Sequence, residues 1–309
     1  MRISAPARAL PPAVADAGAA DTITTTKVFG TPMIRSRLLE LEKELGIVPS
    51  KKMGQNFLVD EQFAAWIVRQ AEIREGENIL EVGPGFGALT SLLLAAGARL
   101  TAIEFDRKIA AWLRKMFVNE KNFTLIEGDA CKVDLDEVFA EGVPFRVVSN
   151  LPYSCGSVFL ANTLSLKNPP SEMIVMLQKE VAERFSASPG TESYGSFTVR
   201  LQVLYEPEIL KIVPPDVFCP PPDVDSAILR LKRKKDLLPL PVLKVFNDLV
   251  KSSFAHRRKK MLKQACAFFP RERVLEAMLL AGVDPDIRAE KVTLDEFRKM
   301  AFSLSSGRE

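Results

Sequence analysis

Two short segments carry residue types that could do chemistry together. Asn150-Leu151-Pro152-Tyr153 joins an amide, a proline-fixed turn and an aromatic ring. An exocyclic aromatic amine is a poor nucleophile because its lone pair is delocalised into the ring. Acceptors that hold both of its N–H bonds favour a pyramidal nitrogen, and an Asn oxygen with nearby backbone carbonyls can supply them. Proline fixes the loop shape, and Tyr153 can stack on a base that is extruded or single-stranded. Read alone, the same four residues also suit an ordinary strand-to-loop turn.

The second segment is Glu81-Val-Gly83-Pro-Gly85-Phe-Gly87. Its glycines let the backbone turn tightly and approach a ligand where a side chain would clash. Glu104 follows twenty-one residues after Gly83, near the distance at which an acid meets a ribose hydroxyl pair. The spacing is G-x-G-x-G, whereas the dinucleotide fingerprint is G-x-G-x-x-G with a pyrophosphate on the following helix. S-adenosylmethionine has no phosphate and needs only room for its amino-acid portion, so it is the favoured cofactor. Asp129, in Gly128-Asp129-Ala130, adds a carboxylate that could accept from an adenine amino group or cap a turn.

Composition removes other chemistries. The chain has one histidine, His256, beside Arg257, Arg258, Lys259 and Lys260, where a surface position is the plain reading and histidine acid–base catalysis is not expected. The four cysteines (Cys131, Cys155, Cys219, Cys266) are scattered, so no metal site is expected and reduced, mostly buried thiols are. No apolar run reaches the roughly 18 residues of a membrane span. Net charge is only +3, yet residues 230–263 hold twelve Lys/Arg against Asp236 and Asp248. Such a block is a solvated face or a phosphate-binding one; its density and the neighbouring Phe254 favour nucleic acid.

These residues need a scaffold, and the hydrophobic pattern supplies one. Short apolar runs at Ile79–Val82, Leu100–Glu104, Phe123–Glu127 and Phe145–Ser149 alternate with helical patterns at Ala88–Ala96 and Lys108–Phe117. That alternation predicts a parallel α/β sheet with helices on both faces. Met173–Leu177, Val199–Tyr205 and Ser226–Leu231 bring the expected strands to seven. Earlier, Ser36–Leu45 reads as a helix closed by Gly46, and Asp60 as the cap of a helix bearing Phe63, Trp66, Ile67 and Ala71. Val242–Phe254, Val274–Leu280 and the capping box Thr293-Leu-Asp-Glu296 predict a helical C-terminal part. The expected divisions are a disordered extension over 1–32, a cofactor-binding domain over 33–235 and a helical RNA-binding domain over 236–309. The extension faintly suggests a transit peptide; Met33 as the true start is the alternative.

From Lys51 to Phe302 the chain resembles the rRNA adenine N6,N6-dimethyltransferases of the bacterial KsgA type. The marks are Gly54-Gln-Asn-Phe-Leu58, the Gly83–Gly87 loop, Glu104, Asp129, Asn150–Tyr153 and Leu177-Gln-Lys-Glu180. Further marks are Phe218-Cys-Pro-Pro-Pro222 with Val224-Asp-Ser226, Arg257-Arg-Lys259 and Arg288-Ala-Glu290. The resemblance implies a Rossmann-like, seven-stranded class I methyltransferase domain with a small C-terminal helical domain. It puts Asn56 and Leu58 over S-adenosylmethionine, Gly83 and Gly85 beneath it, Glu104 on its ribose and Asp129 at its adenine, with Asn150 beside both cofactor and target. It further implies that Asn150 and Leu151 accept the target amino protons, with Pro152 shaping the loop, and that Tyr153 and Phe218 clasp the base. Arg257, Arg258, Lys259 and Lys260 would hold RNA. The implied substrate is a pair of adjacent adenosines near the 3′ end of small-subunit rRNA in an immature subunit, met by a cytoplasmic monomer. A large-subunit rRNA adenine methyltransferase of the antibiotic-resistance type, and a mainly non-catalytic assembly factor, are the other readings. Two places depart from the family pattern: Ser154-Cys155-Gly156-Ser157 after the N-L-P-Y motif, and Lys263-Gln-Ala265 after the basic run.

Overall fold

Polar caps set where the helices begin. Asp60 accepts the Phe63 N–H at 2.9 Å and starts helix α2 (Glu61–Ala71). Asp106 does the same for α4 (Arg107–Met116), accepting from Lys108 and Ile109. Thr293 and Glu296 form the expected reciprocal box at α12 (Leu294–Ser305). Each cap satisfies backbone donors that the first helical turn leaves without partners. Helix α1 (Arg35–Leu45) ends at Gly46 in the left-handed region, φ +59°.

The computed structural model describes residues 33–50, 54–256 and 258–306, which fall within one unit, Thr31–Glu309. The expected extension over 1–32 and Arg257 lie outside the described residues.

After β1 (Phe57–Leu58) and α2, strand and helix alternate: β2 (Asn78–Val82), α3 (Thr90–Ala95), β3 (Arg99–Glu104), α4, β4 (Phe123–Glu127), α5 (Leu135–Val138), β5 (Arg146–Asn150), α6 (Gly156–Thr163), β6 (Glu172–Gln178) and α7 (Lys179–Phe185). Helix α8 (Ser196–Gln202), β7 (Tyr205–Val213), β8 (Phe218–Cys219) and β9 (Ser226–Arg233) follow. A main sheet of seven strands has the order β4-β3-β2-β5-β6-β9-β7. Pairing is parallel from β4 to β6 and antiparallel at β9 and β7. The chain winds outward through β2, β3 and β4, then returns to place β5 beside β2. That reversal opens a crevice at the carboxyl ends of β2 and β5, where ligands bind in open α/β sheets.

The sheet interior is apolar: Leu80, Val147, Met173, Val175 and Leu229 are all fully buried. Each such side chain stabilises the fold by roughly 1.5–3 kcal/mol relative to exposure. Beyond the sheet lie α9 (Leu240–Ser253), α10 (Met261–Ala265), α11 (Arg271–Ala281) and α12, with α9 and α12 packed through Phe246, Phe254 and Phe297. Their buried residues belong to the same continuous core as Leu80 and Val147. No helix among the described residues is long and apolar enough to cross a membrane.

Seven strands were expected, but one of them was misplaced. Val199–Tyr205 is not a strand: α8 covers Ser196–Gln202, and β7 runs on from Tyr205 to Val213. The alternation Val199, Leu201, Val203 imitates a strand, yet this helix is enclosed, so its burial shows no helical period. β7 hides its nature differently. It is an edge strand with Glu206, Pro207, Glu208 and Lys211, and an edge tolerates charges and proline that a central strand rejects.

Candidate active site

The crevice between β2 and β5 is lined by Asn56, Phe57 and Leu58, by Glu81 and the Gly83–Phe86 turn, by Glu104, and by Asn150–Tyr153. Most of these positions were expected from sequence, and the fold brings them together from four separate stretches.

The glycine turn has close protein neighbours besides lining the pocket. Gly83 and Gly85 have φ of +67° and +55°, a region that other residues enter at a cost. A Cβ on Gly83 would lie 2.8 Å from Pro152 Cγ, and one on Gly85 would lie 2.8 Å from Phe57 Cδ1. The missing side chains therefore admit protein as well as any ligand. Gly83 lets the N-L-P-Y loop settle on the glycine turn, and Gly85 admits the ring of Phe57. That ring also packs edge-on to Phe86, centroids 4.9 Å apart. Gly54 completes the arrangement at φ +64°; a Cβ there would meet the backbone nitrogens of Tyr153 and Ser154 at 2.9 and 2.8 Å.

Ser149 joins the two loops at their root. Backbone pairing between β2 and β5 covers Ile79 with Arg146 and Leu80 with Val147. Further along, the Ser149 hydroxyl donates to the Val82 carbonyl at 2.6 Å and accepts its N–H at 3.2 Å. A side chain thus bridges the strands just before Gly83 and Asn150. The buried serine following Val147-Val148 gave only a faint signal in sequence.

Asn150 is oriented by one bond. Its Nδ2 donates to the Asn56 carbonyl at 3.1 Å. A carbonyl can face only the amide nitrogen, so the Asn150 side-chain oxygen is turned the other way. Leu151 donates its N–H to Met176 O, while the Pro152 carbonyl accepts from Cys155 and Gly156. In the Ser154–Ser157 departure, Ser154 and Cys155 thus form a hydrogen-bonded turn and Gly156-Ser157 open α6. Tyr153 is half-buried, and its hydroxyl bonds the Ser226 hydroxyl.

Two carboxyls face the pocket. Glu104 Oε2 accepts from Gly85 N at 3.2 Å and Oε1 from Asp106 N at 2.8 Å. Burial nevertheless raises its pKa, outweighing those bonds. Glu81, not singled out from sequence as a site residue, is 2% exposed and accepts from Thr90 Oγ1 at 2.7 Å. Burial pushes its carboxyl up to about 8, helped by the charge of Glu104. The available signal was an acid inside an otherwise apolar strand, a costly placement.

Other expected site residues lie elsewhere. Asp129 is outside the pocket lining; its Oδ1 accepts the Cys131 N–H at 3.0 Å and its Oδ2 is 3.5 Å from Lys132 Nζ. Phe218 is fully buried and also outside the lining; β8 pairs it with Leu58 of β1. Arg258, Lys259 and Lys260 are exposed, with Lys260 Nζ 2.7 Å from Asp286 Oδ1. Of the cysteines only Cys219 is buried; Cys131, Cys155 and Cys266 are half-buried, which corrects the expectation of mostly buried thiols. No group of three or more His, Cys, Asp or Glu among the described residues could hold a metal.

The model of one family, described as ribosomal RNA adenine dimethylase, matches residues 49–305. The chain belongs to this family. Among its relatives, a protein named ribosomal RNA small subunit methyltransferase A from Listeria monocytogenes serotype 4b is 36% identical over 290 residues, spanning 90% of this chain and 97% of the relative. One of the same name from Lactococcus lactis is 38% identical over 262 residues, 82% of this chain and 89% of the relative. The crystal structure of the 23S rRNA methyltransferase ErmE superposes with a TM-score of 0.63 at 29% identity, covering 81% of this chain and 99% of that one. A dimethyladenosine transferase from Plasmodium falciparum shares the fold, with a TM-score of 0.67 at 23% identity over 79% of this chain and 95% of its own. The seven-stranded fold is thus the class I methyltransferase architecture that the resemblance implied.

Proposed function

We propose that this family member transfers methyl groups from S-adenosylmethionine to the N6 amino groups of two adjacent adenosines in a 3′-terminal hairpin of small-subunit rRNA. The observation that carries the reading is the turned Asn150 amide. With its nitrogen engaged by Asn56, the side chain presents an acceptor beside the glycine turn. A target amine held there by the Asn150 oxygen and the Leu151 carbonyl would point its lone pair at the cofactor side of the crevice.

The pocket suits this cofactor. Its described lining holds two carboxyls, Glu81 and Glu104, and neither lysine nor arginine. A lining without a cation fits a ligand without phosphates, and its carboxyls can accept from an ammonium or from ribose hydroxyls. When bound, S-adenosylmethionine supplies an electrophilic methyl group. The residues then bind, orient and exclude water: Glu104 stands where the ribose is expected, Asn56 and Leu58 cover the site, and Tyr153 offers a ring for the base. Asp129 caps its turn through Oδ1 alone, and the carboxylate keeps lone pairs with which it could accept from an adenine amino group. Phe218 in its buried position supports β1, leaving Tyr153 as the aromatic contact open to the base.

Relatives named for the small subunit support that substrate over the large-subunit alternative. The exposed Arg258 and Lys259 support phosphate binding. In this proposal residues 33–235 bind cofactor and base, and 236–309 hold RNA in an immature subunit, in the cytoplasm.

The test is Asn150→Ala. Turnover on unmethylated small subunits is expected to fall by about 10²–10³, the usual loss when one preorganised hydrogen-bonding group is removed. S-adenosylmethionine affinity, measured by calorimetry, should stay within a few-fold of wild type. Wild-type turnover in this variant would overturn the assignment.

A further inference from the structure

The segment Val224-Asp225-Ser226 lies outside the pocket lining, yet the fold carries it to Tyr153. Tyr153 leaves the carboxyl end of β5, and Ser226 opens β9, two strands away across β6. The two hydroxyls are hydrogen-bonded although 73 residues separate them in sequence. Ser226 is fully buried, whereas Tyr153 is half-exposed and lines the pocket.

The serine end of this bond is held rigidly. Ser226 pairs across to Gln178 on β6 and to Val213 on β7, so strands flank it on both sides. The preceding residue is fixed too: Lys179 N donates to the Asp225 carbonyl at 3.0 Å, and its Nζ lies 3.9 Å from Asp225 Oδ2. At the other end, Tyr153 stands on a loop pinned by its approach to Gly54. A ring anchored at its backbone but free at its tip would swing about χ1 and χ2. Fixing the hydroxyl to a strand removes that freedom, which is the support a stacking platform needs.

We infer that Ser226 is a positioning residue for methyl transfer, holding the Tyr153 ring at one angle so that the stacked adenine presents N6 to Asn150. This rests on the proposed role of Tyr153 as the base contact. Ser226 touches neither the cofactor pocket nor the base, and it acts only through the tyrosine. It also gives a function to the Val-Asp-Ser segment that the resemblance marked but did not explain.

The test is a double-mutant cycle of Ser226→Ala and Tyr153→Phe, which remove the same bond from opposite ends and keep the ring. Each single variant should lower kcat by roughly five- to tenfold, the worth of one hydrogen bond. The double variant should be no slower than either, and KM for the RNA should stay near wild type. Independent, multiplying losses would overturn the inference, as would wild-type kcat in Ser226→Ala. A serine needed only for folding would lower the melting temperature and leave kcat at 25 °C intact, which also counts against it. If Ser226→Ala does not fold, Tyr153→Phe alone must still show the slowed turnover. Tyr153→Ala separates the two levels: normal turnover there refutes the base contact itself, whereas impaired turnover beside a fully active Ser226→Ala refutes only the positioning role.

Discussion

Replacing Gly83 by alanine tests the contact that joins the two loops of the site. The residue sits at φ +67°, and holding an alanine in the left-handed region costs about 1–2 kcal/mol. The new Cβ would also lie 2.8 Å from Pro152 Cγ and 3.0 Å from Pro152 Cδ. Overpacking of that kind typically costs about 1–3 kcal/mol. The expected total is therefore about 2–5 kcal/mol, by adding the two contributions. Only the second contribution depends on Pro152. In a Pro152→Ala background the ring carbons are gone, so Gly83→Ala should cost only the backbone strain, about 1–2 kcal/mol. Equilibrium unfolding in urea of wild type, both single variants and the double variant gives the coupling directly, expected at about 1–3 kcal/mol. Cofactor affinity should follow the same pattern, because a displaced Pro152 carries the N-L-P-Y loop with it. If Gly83→Ala costs the same in both backgrounds, the glycine is not there to admit Pro152, and the reasoning fails.

Two further outcomes are expected from the charged groups. Glu81 ionises near 8 in the folded chain against an ordinary 4.5, because of burial. The folded state thus binds a proton that the unfolded state releases, so stability should fall as pH rises from about 4.5 to 8. Glu81→Gln keeps an acceptor for Thr90 and should flatten that part of the urea-midpoint profile between pH 5 and 8; an unchanged profile would exclude Glu81 as its source. Replacing Arg258 and Lys259 together by glutamine should weaken RNA binding at low salt and reduce the log–log salt slope by about two, one per lost phosphate contact. Filter binding across salt concentrations measures this, and an unaltered slope would remove these two cations from the interface.

Much of this protein is written locally in its chain. The G-x-G-x-G turn, Asn150–Tyr153, the caps at Asp60 and Thr293 and the five parallel strands are legible because their signals are short-range. Capping, turn chemistry and hydrophobic period act over a few residues, so a sequence displays them directly. Composition likewise argued against histidine catalysis, with one histidine in the chain, and pointed to RNA through the block at 230–263. The tertiary structure decided which groups meet. That Gly83 admits Pro152, that Glu81 is buried beside Glu104, and that Ser149 bridges the splitting strands depend on residues far apart in the chain. It paired a fully buried Phe218 with Leu58 and gave Asp129 the Cys131 N–H, contacts that residue type leaves open. It also showed Val199–Tyr205 to be mostly helix, because an enclosed segment loses the exposed face from which a period is read. The Ser226–Tyr153 bond had no trace in sequence at all: a hydroxyl can bond almost any polar neighbour, and only the strand order β5-β6-β9 supplies this one.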